Sequence, residues 1–291
     1  MNYAEFKALL CKQYDPREAE AIARLVMEDR FGLTLTDLAL GKDSVFSLKE
    51  RDELRNIAQM LVSGIPVQQV LGHATFCGRP FEVTPDVLIP RPETEDLVQW
   101  VLKDITCHDA VRAGTLTVAD LGTGSGCIAV SISLELMKTS QPHNLIAVDV
   151  SPKALDVARR NAERLGADVV FQQQDMLDIE TSCRALPVLD CIVSNPPYVL
   201  KSEAAAMAQH VLAHEPHLAL FVPDADPLRF YRAIAQIGLQ RLYPGGLVYV
   251  ELNSALAKET SDLFEHFGYT DLTLRNDQFG RPRMLRAKKD V

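Results

Sequence analysis

From Arg91 onward, short apolar segments alternate with helical patterns, and this alternation limits the possible folds more than any other feature of the chain. Strands are predicted at Leu116–Leu121, Leu145–Val150, Asp168–Gln172, Leu189–Ser194 and Gly246–Glu251, and helices between the first four at Gly126–Lys138, Pro152–Leu165 and Met176–Arg184. Strands joined by helices form a parallel sheet with crossovers on both faces. Ligands bind such sheets at the carboxyl ends of the strands. We therefore predict an α/β, Rossmann-like domain with its site at those ends.

The first 72 residues carry helical signals instead. Asp15 before Pro16, and Ser47 three residues before Glu50, are typical of helix N-termini. Residues 1–72 are predicted to form a helical bundle, which serves either as a structural module or as a docking module for a macromolecular partner. Residues 73–90 have β-prone runs broken by glycine and proline, and they are predicted to form a β-hairpin linker. Residues 91–291 then form the α/β domain.

The composition excludes several classes of protein. The chain has 291 residues, of which 47% are apolar and 24% charged, as in ordinary globular proteins. It has 30 basic and 39 acidic residues, and the net charge of −9 disfavours stable nucleic-acid binding. No run suits a bilayer span or a secretory signal, and the six scattered cysteines argue against zinc ribbons, redox dithiols and disulfides. We expect a cytoplasmic protein and, without an obvious dimerisation feature, a monomer.

A glycine-rich turn follows the strand Leu116–Leu121. Its sequence is Asp120-Leu121-Gly122-Thr123-Gly124-Ser125-Gly126. Glycine permits positive φ angles and a close approach of ligand to backbone. A dinucleotide fold would use G-x-G-x-x-G facing a pyrophosphate, but here the spacing is G-x-G-x-G, an acid precedes it and no basic residue lies nearby. The turn suits a cofactor without phosphates, of which S-adenosylmethionine (SAM) is one.

Acidic residues stand at the ends of the next two predicted strands. Asp149 ends one strand, where a carboxylate can accept both hydroxyls of a ribose. Asp175 follows the other, where a carboxylate can accept an adenine amino group while Met176 packs on the base. Either acid alone could be a turn former. Beside the glycine turn, the two predict a nucleoside site.

The strand Leu189–Ser194 runs into Asn195-Pro196-Pro197-Tyr198. The two prolines stiffen the backbone and fix Asn195 beside the cofactor. The Asn195 side-chain oxygen and the Pro196 carbonyl can accept both N–H groups of a planar amino group, and Tyr198 can stack on it. Such a grip aims the nitrogen lone pair at a methyl group. The alternative is a proline-stiffened turn with an exposed tyrosine.

Further motifs are Gly64-Ile65-Pro66-Val67-Gln68, Gly72, Phe76, Val87-Leu88-Ile89-Pro90-Arg91-Pro92-Glu93-Thr94-Glu95 and Glu215-Pro216-His217-Leu218-Ala219-Leu220. With the motifs above, they make most of the chain resemble the release-factor glutamine N5-methyltransferases, the HemK/PrmC family. The Ile-Pro-Arg-Pro-Glu-Thr-Glu segment separates this family from other Asn-Pro-Pro-Tyr enzymes. The chain departs from the family at Met176, which is commonly aromatic, and after Glu251, where Leu252-Asn253-Ser254 replace a frequent Gly and Gln.

The resemblance implies SAM-dependent methylation of the glutamine amide in the Gly-Gly-Gln motif of class 1 peptide chain release factors, with S-adenosylhomocysteine as product. It also implies a mostly parallel seven-stranded sheet and an N-terminal domain that holds the release factor. The predicted SAM contacts, including Asp175 from the reasoning above, are Gly122, Thr123, Gly124, Ser125, Gly126, Asp149, Asp175, Met176 and Asn195. The residues that hold the glutamine are Asn195, Pro196, Pro197 and Tyr198, of which Asn195, Pro196 and Tyr198 form the catalytic set.

Two weaker signals have competing interpretations. His210, His214 and His217 could share a helical face and bind a metal, but Pro216 interrupts the helix and amide methylation needs no metal, so no metal site is predicted. Arg91 and Glu93 either shape the rim of the site or belong to a helix N-terminus.

Two other functions remain open from the residues alone. Adenine N6-methyltransferases also use Asn-Pro-Pro-Tyr, but they must flip a base and hold phosphates, which the net charge and the lack of a basic insert disfavour. A non-enzymatic SAM-binding module that docks on translation factors is disfavoured by the intact motif.

Overall fold

The computed structural model describes residues 1–107, 114–139, 141–206 and 209–290. The chain divides into a helical unit, Met1–Ala74 with Met207–His214, and a sheet unit, Thr75–Ala206 with Glu215–Val291. Among the described helices, none combines the length and the apolar character that a membrane span requires.

Polar side chains set the helix starts of the helical unit. Its N-terminal part contains α1 (Tyr3–Leu10), α2 (Pro16–Phe31), α3 (Leu35–Ala39), a 3-10 turn (Lys42–Val45), α4 (Leu48–Val62) and α5 (Val67–Leu71). Asp15 caps α2 by accepting the N–H groups of Arg17 and Glu18, and Ser47 and Glu50 form the predicted capping box of α4. The apolar faces share one core, which includes Phe6, Leu10, Val26, Met27, Leu54 and Leu61.

A two-stranded hairpin follows, with β1 at His73–Phe76 and β2 at Arg79–Glu82. The turn residues Cys77 and Gly78 have φ angles of 48° and 71°. Positive φ at both central residues is typical of a type I′ turn, whose twist matches that of the paired strands. The hairpin thus lies within the segment 73–90.

The remaining helices are α6 (Pro92–Cys107), α7 (Cys127–Thr139), α8 (Pro152–Leu165), α9 (Ile179–Ala185), α10 (Gln209–His214), α11 (His217–Leu220), α12 (Arg229–Arg241) and α13 (Ala257–His266). The remaining strands are β3 (Leu116–Leu121), β4 (His143–Asp149), β5 (Val170–Gln173), β6 (Leu189–Ser194), β7 (Val199–Leu200), β8 (Phe221–Val222), β9 (Leu242–Glu251), β10 (Tyr269–Asn276) and β11 (Pro282–Lys289). Of these, α10 belongs to the helical unit, and β7 pairs in parallel with β8.

The main sheet of the sheet unit has seven strands in the order β10-β11-β9-β6-β3-β4-β5. The run from β9 to β5 is parallel, whereas β11 is antiparallel to both of its neighbours. The predicted α/β fold with a mostly parallel seven-stranded sheet is therefore confirmed. The strand order reverses between β3 and β6, and such a switch point is where α/β sheets open a crevice for ligands.

Neighbouring residues on the strands supply two apolar layers. Val118 packs into a cluster that includes Trp100, Ile128 and Leu145, whereas the next residue, Ala119, packs into a cluster on the other side. Because helices cover both faces, the central strands are apolar almost throughout, which explains why their sequence pattern is strong.

The boundaries differ from the prediction where burial is weaker. β5 begins two residues later than Asp168, and β9 begins four residues earlier than Gly246. The sequence pattern does not predict β10, in which Leu272 is only partly buried and Leu274 is exposed. An edge strand has few buried positions, so its apolar alternation is faint.

Candidate active site

The glycine turn joins β3 to α7 and lies against β4. The backbone N–H groups of Gly122 and Thr123 both donate to the Val148 carbonyl, at 2.8 and 2.9 Å. Gly126 has φ of 81°, and a Cβ there would lie 3.0 Å from the Cβ of Ala158 on α8. A side chain at position 126 would therefore push α8 away from the turn.

Asp120 is fully buried beneath this turn. Its Oδ2 accepts hydrogen bonds from Thr123 Oγ1 at 2.6 Å and from the Ala129 N–H at 3.2 Å, whereas Oδ1 is buried without a partner. Burial raises the pKa of this carboxyl to about 7, against the opposing effect of the two hydrogen bonds. The turn is therefore held by a buried carboxyl whose charged form is disfavoured.

Asp149 at the end of β4 holds the same turn from the side. One carboxylate oxygen accepts the Gly124 N–H at 2.9 Å, and the other accepts the Ser151 N–H at 2.9 Å. Burial raises the pKa of Asp149, and these backbone hydrogen bonds oppose the shift. Two successive strand ends are thus tied together through one carboxylate.

A cavity of about 240 Å³ opens at these strand ends within the sheet unit. Nine of the predicted site residues line it: Gly122, Thr123, Gly124, Ser125, Asp149, Asp175, Met176, Asn195 and Pro197. The other three predicted residues, Gly126, Pro196 and Tyr198, do not belong to the lining that the described residues form. Each of them is next in sequence to a residue that does line the cavity. The structure thus brings together predicted residues from four separate strand ends.

Asn195 and Tyr198 are both connected by hydrogen bonds to one buried carboxylate, that of Glu251, and Asn195 is connected to it through Thr94. Glu251 was not among the predicted site residues. Asn195 Nδ2 donates to Thr94 Oγ1 at 3.1 Å, and Thr94 Oγ1 donates to Glu251 Oε2 at 2.7 Å. The Tyr198 hydroxyl donates to Glu251 Oε1 at 2.8 Å. Burial next to Glu251 raises the pKa of Tyr198 well above its ordinary value, so the phenol keeps its proton.

Thr94 is 2% exposed and Glu251 is 1% exposed, so both are buried polar groups that need partners. Burial raises the pKa of Glu251, while the hydroxyls of Thr94 and Tyr198 and the charge of Arg283 lower it. The sequence did offer a signal for both residues, because Glu251 ends a predicted strand and Thr94 lies in the Ile-Pro-Arg-Pro-Glu-Thr-Glu segment. Their contact across 157 residues was the missing information.

Arg91 and Glu215 form an ion pair at the edge of the cavity. Arg91 Nη2 lies 2.6 Å from Glu215 Oε1, and Glu215 Oε2 also accepts the Ile89 N–H at 3.2 Å. Arg91 lines the cavity, and α6 begins at the next residue, Pro92. Arg91 thus lies at the rim of the cavity, and Glu93 lies in the first turn of α6.

The histidine segment is divided between the two units. His214 ends α10 in the helical unit, where its carbonyl accepts a hydrogen bond from Gln69 Nε2 at 2.8 Å. His217 begins α11 in the sheet unit and packs edge-on against Phe221, and Pro216 separates the two helices. The side chain of His210 lies outside the described residues. Among the described residues, no cluster of three His, Cys, Asp or Glu side chains could hold a metal ion.

Comparison with known proteins covers both units. Residues 3–72 match the family described as the PrmC N-terminal domain, and residues 107–220 match the methyltransferase small domain. A solved T. thermophilus 16S rRNA N2 G1207 methyltransferase, in complex with AdoMet and guanosine, has a TM-score of 0.50 at 16% identity, covering 75% of this chain and 49% of that chain. That likeness supports the fold.

Curated relatives match almost end to end. The release factor glutamine methyltransferase of Bacteroides thetaiotaomicron is 42% identical over 280 residues, which cover 95% of each chain. That of Flavobacterium psychrophilum is 37% identical over 287 residues, which cover 98% of each chain. At these identities over nearly the whole length, the chain belongs to the release factor glutamine methyltransferase family.

Proposed function

We propose that this protein transfers a methyl group from SAM to the side-chain amide nitrogen of the glutamine in the Gly-Gly-Gln motif of class 1 peptide chain release factors. One observation carries the proposal beyond family membership. Asn195 lines the same cavity as Gly122 and Asp149, and its own N–H2 group is engaged by Thr94. A planar amide accepted by Asn195 would lie beside a cofactor held by the glycine turn.

The cavity suits a positively charged cofactor without phosphates. Asp149 and Asp175 line it, and Arg91, which also lines it, is already paired with Glu215. Bound SAM supplies an electrophilic methyl group on a sulfonium centre.

The residues we assign to SAM are Gly122, Thr123, Gly124, Ser125, Gly126, Asp149, Asp175, Met176 and Asn195. Each oxygen of Asp149 already accepts a backbone N–H, and a carboxylate has about four acceptor positions in all, so acceptor capacity remains for the ribose hydroxyls. A Cβ at Gly122 would lie 3.0 Å from Met176 Cε, so glycine at this position leaves space between the turn and Met176.

We assign Asn195, Pro196, Pro197 and Tyr198 to the glutamine. An amide nitrogen is a poor nucleophile because its lone pair is delocalised into the carbonyl. Asn195 Oδ1 and the Pro196 carbonyl would accept its two N–H groups and hold the lone pair in line with the methyl group, and such positioning supplies several kcal/mol. Tyr198, whose hydroxyl is anchored on Glu251, would stack on the flat amide.

We assign the docking of the release factor to the helical unit. Residues 3–72 match a domain family of their own, apart from the methyltransferase small domain. The residues classed as buried in Met1–Ala74 are apolar, as in a packed helical module. In this proposal the helical unit supplies a surface that selects the macromolecular substrate.

Mass spectrometry of a protease digest tests the proposal directly. The purified protein is mixed with SAM and an unmodified class 1 release factor, and the peptide that carries Gly-Gly-Gln is examined. We expect one added methyl group on that glutamine, which is absent without SAM and absent when the glutamine is replaced by alanine. An unmodified peptide, with SAM binding measured separately and an adenine-containing oligonucleotide methylated instead, would overturn the proposal in favour of a nucleic-acid substrate.

A further inference from the structure

Thr94 stands between the residue that would hold the substrate and a buried carboxylate. Its Oγ1 is 3.1 Å from Asn195 Nδ2 and 2.7 Å from Glu251 Oε2. The other oxygen of Glu251 accepts the hydroxyl of Tyr198. One carboxylate at the end of β9 therefore holds both ends of the Asn-Pro-Pro-Tyr segment, and at the Asn195 end it acts through Thr94.

The polarity of this chain of hydrogen bonds follows from counting protons. Both oxygens of Glu251 accept a hydrogen bond from a hydroxyl, and a threonine hydroxyl has a single proton to donate. The Thr94 proton is committed to Glu251, so Thr94 Oγ1 can only accept from Asn195. The Asn195 amide must then present its N–H2 group to Thr94 and leave its oxygen free on the opposite side.

We propose that Thr94 is a positioning residue that fixes the orientation of the Asn195 amide, and that Glu251 sets the direction of the hydrogen bonds that run through it. The identity of the methyl acceptor rests on the function proposed above. The role of Thr94 requires only that Asn195 accept an N–H from that acceptor.

The orientation matters because the two ends of an asparagine amide have nearly the same shape and opposite chemistry. With the oxygen forward, Asn195 accepts a hydrogen from the acceptor's amino group. With the N–H2 group forward, two donors would face each other, and the lone pair of the acceptor nitrogen would lose its alignment. Misplacing a reacting group by about 1 Å can cost about a hundredfold in rate, and a flipped amide is a comparable error.

The test compares two substitutions of one residue. Thr94→Val keeps the branched shape and removes the hydroxyl, whereas Thr94→Ser keeps the hydroxyl and removes a methyl group. We expect Thr94→Val to lower kcat for the methyl acceptor about 10- to 100-fold, with the Kd for SAM changed less than about twofold. Thr94→Ser should restore kcat to within about threefold of the original protein, because the hydrogen-bond direction is preserved.

Thr260→Val is the matched control. Thr260 is also fully buried in the sheet unit, and its hydroxyl donates to the Leu256 carbonyl at 2.8 Å, but it does not line the cavity. This substitution removes an equivalent buried hydroxyl, so it should lower the midpoint of thermal unfolding and leave kcat unchanged. A purely structural role for Thr94 would give the same result in Thr94→Val.

Glu251→Gln tests the direction of the hydrogen bonds. The glutamine amide has nearly the size of the carboxylate but carries an N–H2 group that must donate, either to Thr94 or to Tyr198. Donation to Thr94 would turn the hydroxyl toward Asn195 and force its oxygen inward. We expect kcat to fall at least as far as in Thr94→Val. The double variant, Thr94→Val with Glu251→Gln, should be no slower than the single variant with the lower kcat, because both substitutions act through one chain of contacts.

The outcomes separate the inference from the proposed function. If the original protein leaves the release-factor glutamine unmodified, the proposed function fails. If it methylates the glutamine and Thr94→Val matches it in kcat, only the role of Thr94 is overturned. Equal losses in the valine and serine variants, or a loss of SAM affinity as large as the loss of kcat, would also overturn it, because neither is explained by the amide orientation.

Discussion

The two units of the molecule bury different kinds of side chain. In Met1–Ala74 the buried residues are apolar, and polar side chains cap helices at the surface. In the sheet unit, carboxylates as well as hydroxyls are fully buried, among them Asp120, Glu215 and Glu251. Burying a polar group costs free energy unless it finds partners. Buried polar groups are therefore found in the sheet unit, where they orient the residues around the cavity.

This difference separates stability from chemistry. We expect the loss of a core contact in the helical unit to lower stability alone, because the residues that line the cavity all belong to the sheet unit. In the sheet unit, the same side chains that complete the fold also line or brace the cavity, as Asp149 does when it accepts the Gly124 N–H. Substitutions there should change binding or rate even where stability is kept.

The largest effect is expected for Asn195→Ala. Removing the side chain removes the oxygen that would accept the substrate amide, so kcat should fall about 100- to 1,000-fold, equivalent to about 3–4 kcal/mol. SAM affinity should stay within a few-fold, since the glycine turn and Asp149 are untouched. Asn144→Ala is the matched control, because Asn144 is exposed at the start of β4 in the sheet unit and does not line the cavity, and it should leave kcat unaltered. A fast Asn195→Ala enzyme would remove Asn195 from the reaction.

Next in size is Leu54→Ala in α4 of the helical unit. Leu54 is completely buried in the apolar core, so its truncation should lower the free energy of unfolding by about 2–5 kcal/mol. Leu48 on the same helix is 83% exposed, and Leu48→Ala should cost less than about 0.5 kcal/mol. Denaturant unfolding and SAM titration measure both variants. A large drop in SAM affinity for Leu54→Ala at low temperature would contradict the separation of the two units' roles.

Sequence reasoning recovered what local signals encode. The helix caps at Asp15 and Ser47 depend on partners within three residues, and the glycine turn depends on its own spacing. The central strands β3 and β6 were predicted to the residue, because helices on both faces make them apolar throughout. The motif that follows each of these strands therefore fell at the correct edge of the sheet.

What the sequence lacked is long-range pairing. Thr94 meets Asn195 across 101 residues and Glu251 across 157, and no local pattern records which buried oxygen a hydroxyl will meet. Asn253 is a similar case, because its amide donates to the Tyr198 carbonyl at 3.2 Å across 55 residues. These contacts depend on the strand order, which follows from the whole fold.

Asp120→Asn should change how stability depends on pH. The folded carboxyl keeps its proton up to about pH 7, whereas an unfolded aspartate releases it near pH 4. Unfolding therefore releases a proton in this window, and the free energy of unfolding falls as the pH rises from about 4 to 7. The variant lacks this acid, so it should gain about 2–3 kcal/mol relative to the original protein across the window. Asp149, whose pKa is also raised, remains in both proteins.

The substitution Asp120→Asn also changes the free energy of unfolding by an amount that does not depend on pH. An asparagine amide at position 120 does not titrate, so any change in hydrogen bonding at the position of Oδ1, which has no partner, adds the same free energy at every pH in the window. Only the slope carries the information. Denaturant unfolding at several pH values between 4 and 7 measures it, and parallel curves for the two proteins would mean that Asp120 is ionised throughout.

The smallest effect is expected from two helix caps that are alike in chemistry and differ in location. Ser47 accepts the Glu50 N–H at the start of α4, and Ser151 accepts the Ala154 N–H at the start of α8. Each serine-to-alanine substitution should cost about 1 kcal/mol of unfolding free energy.

Ser151 also lines the cavity, and its backbone N–H holds Asp149, so a frayed α8 would loosen that carboxylate. We expect Ser151→Ala to weaken SAM binding by about threefold, on the order of half the capping energy, and Ser47→Ala to leave it unchanged. Equal SAM affinities, measured by calorimetric titration at matched stability, would show that a cap beside the cavity acts on stability alone, as one in the helical unit does.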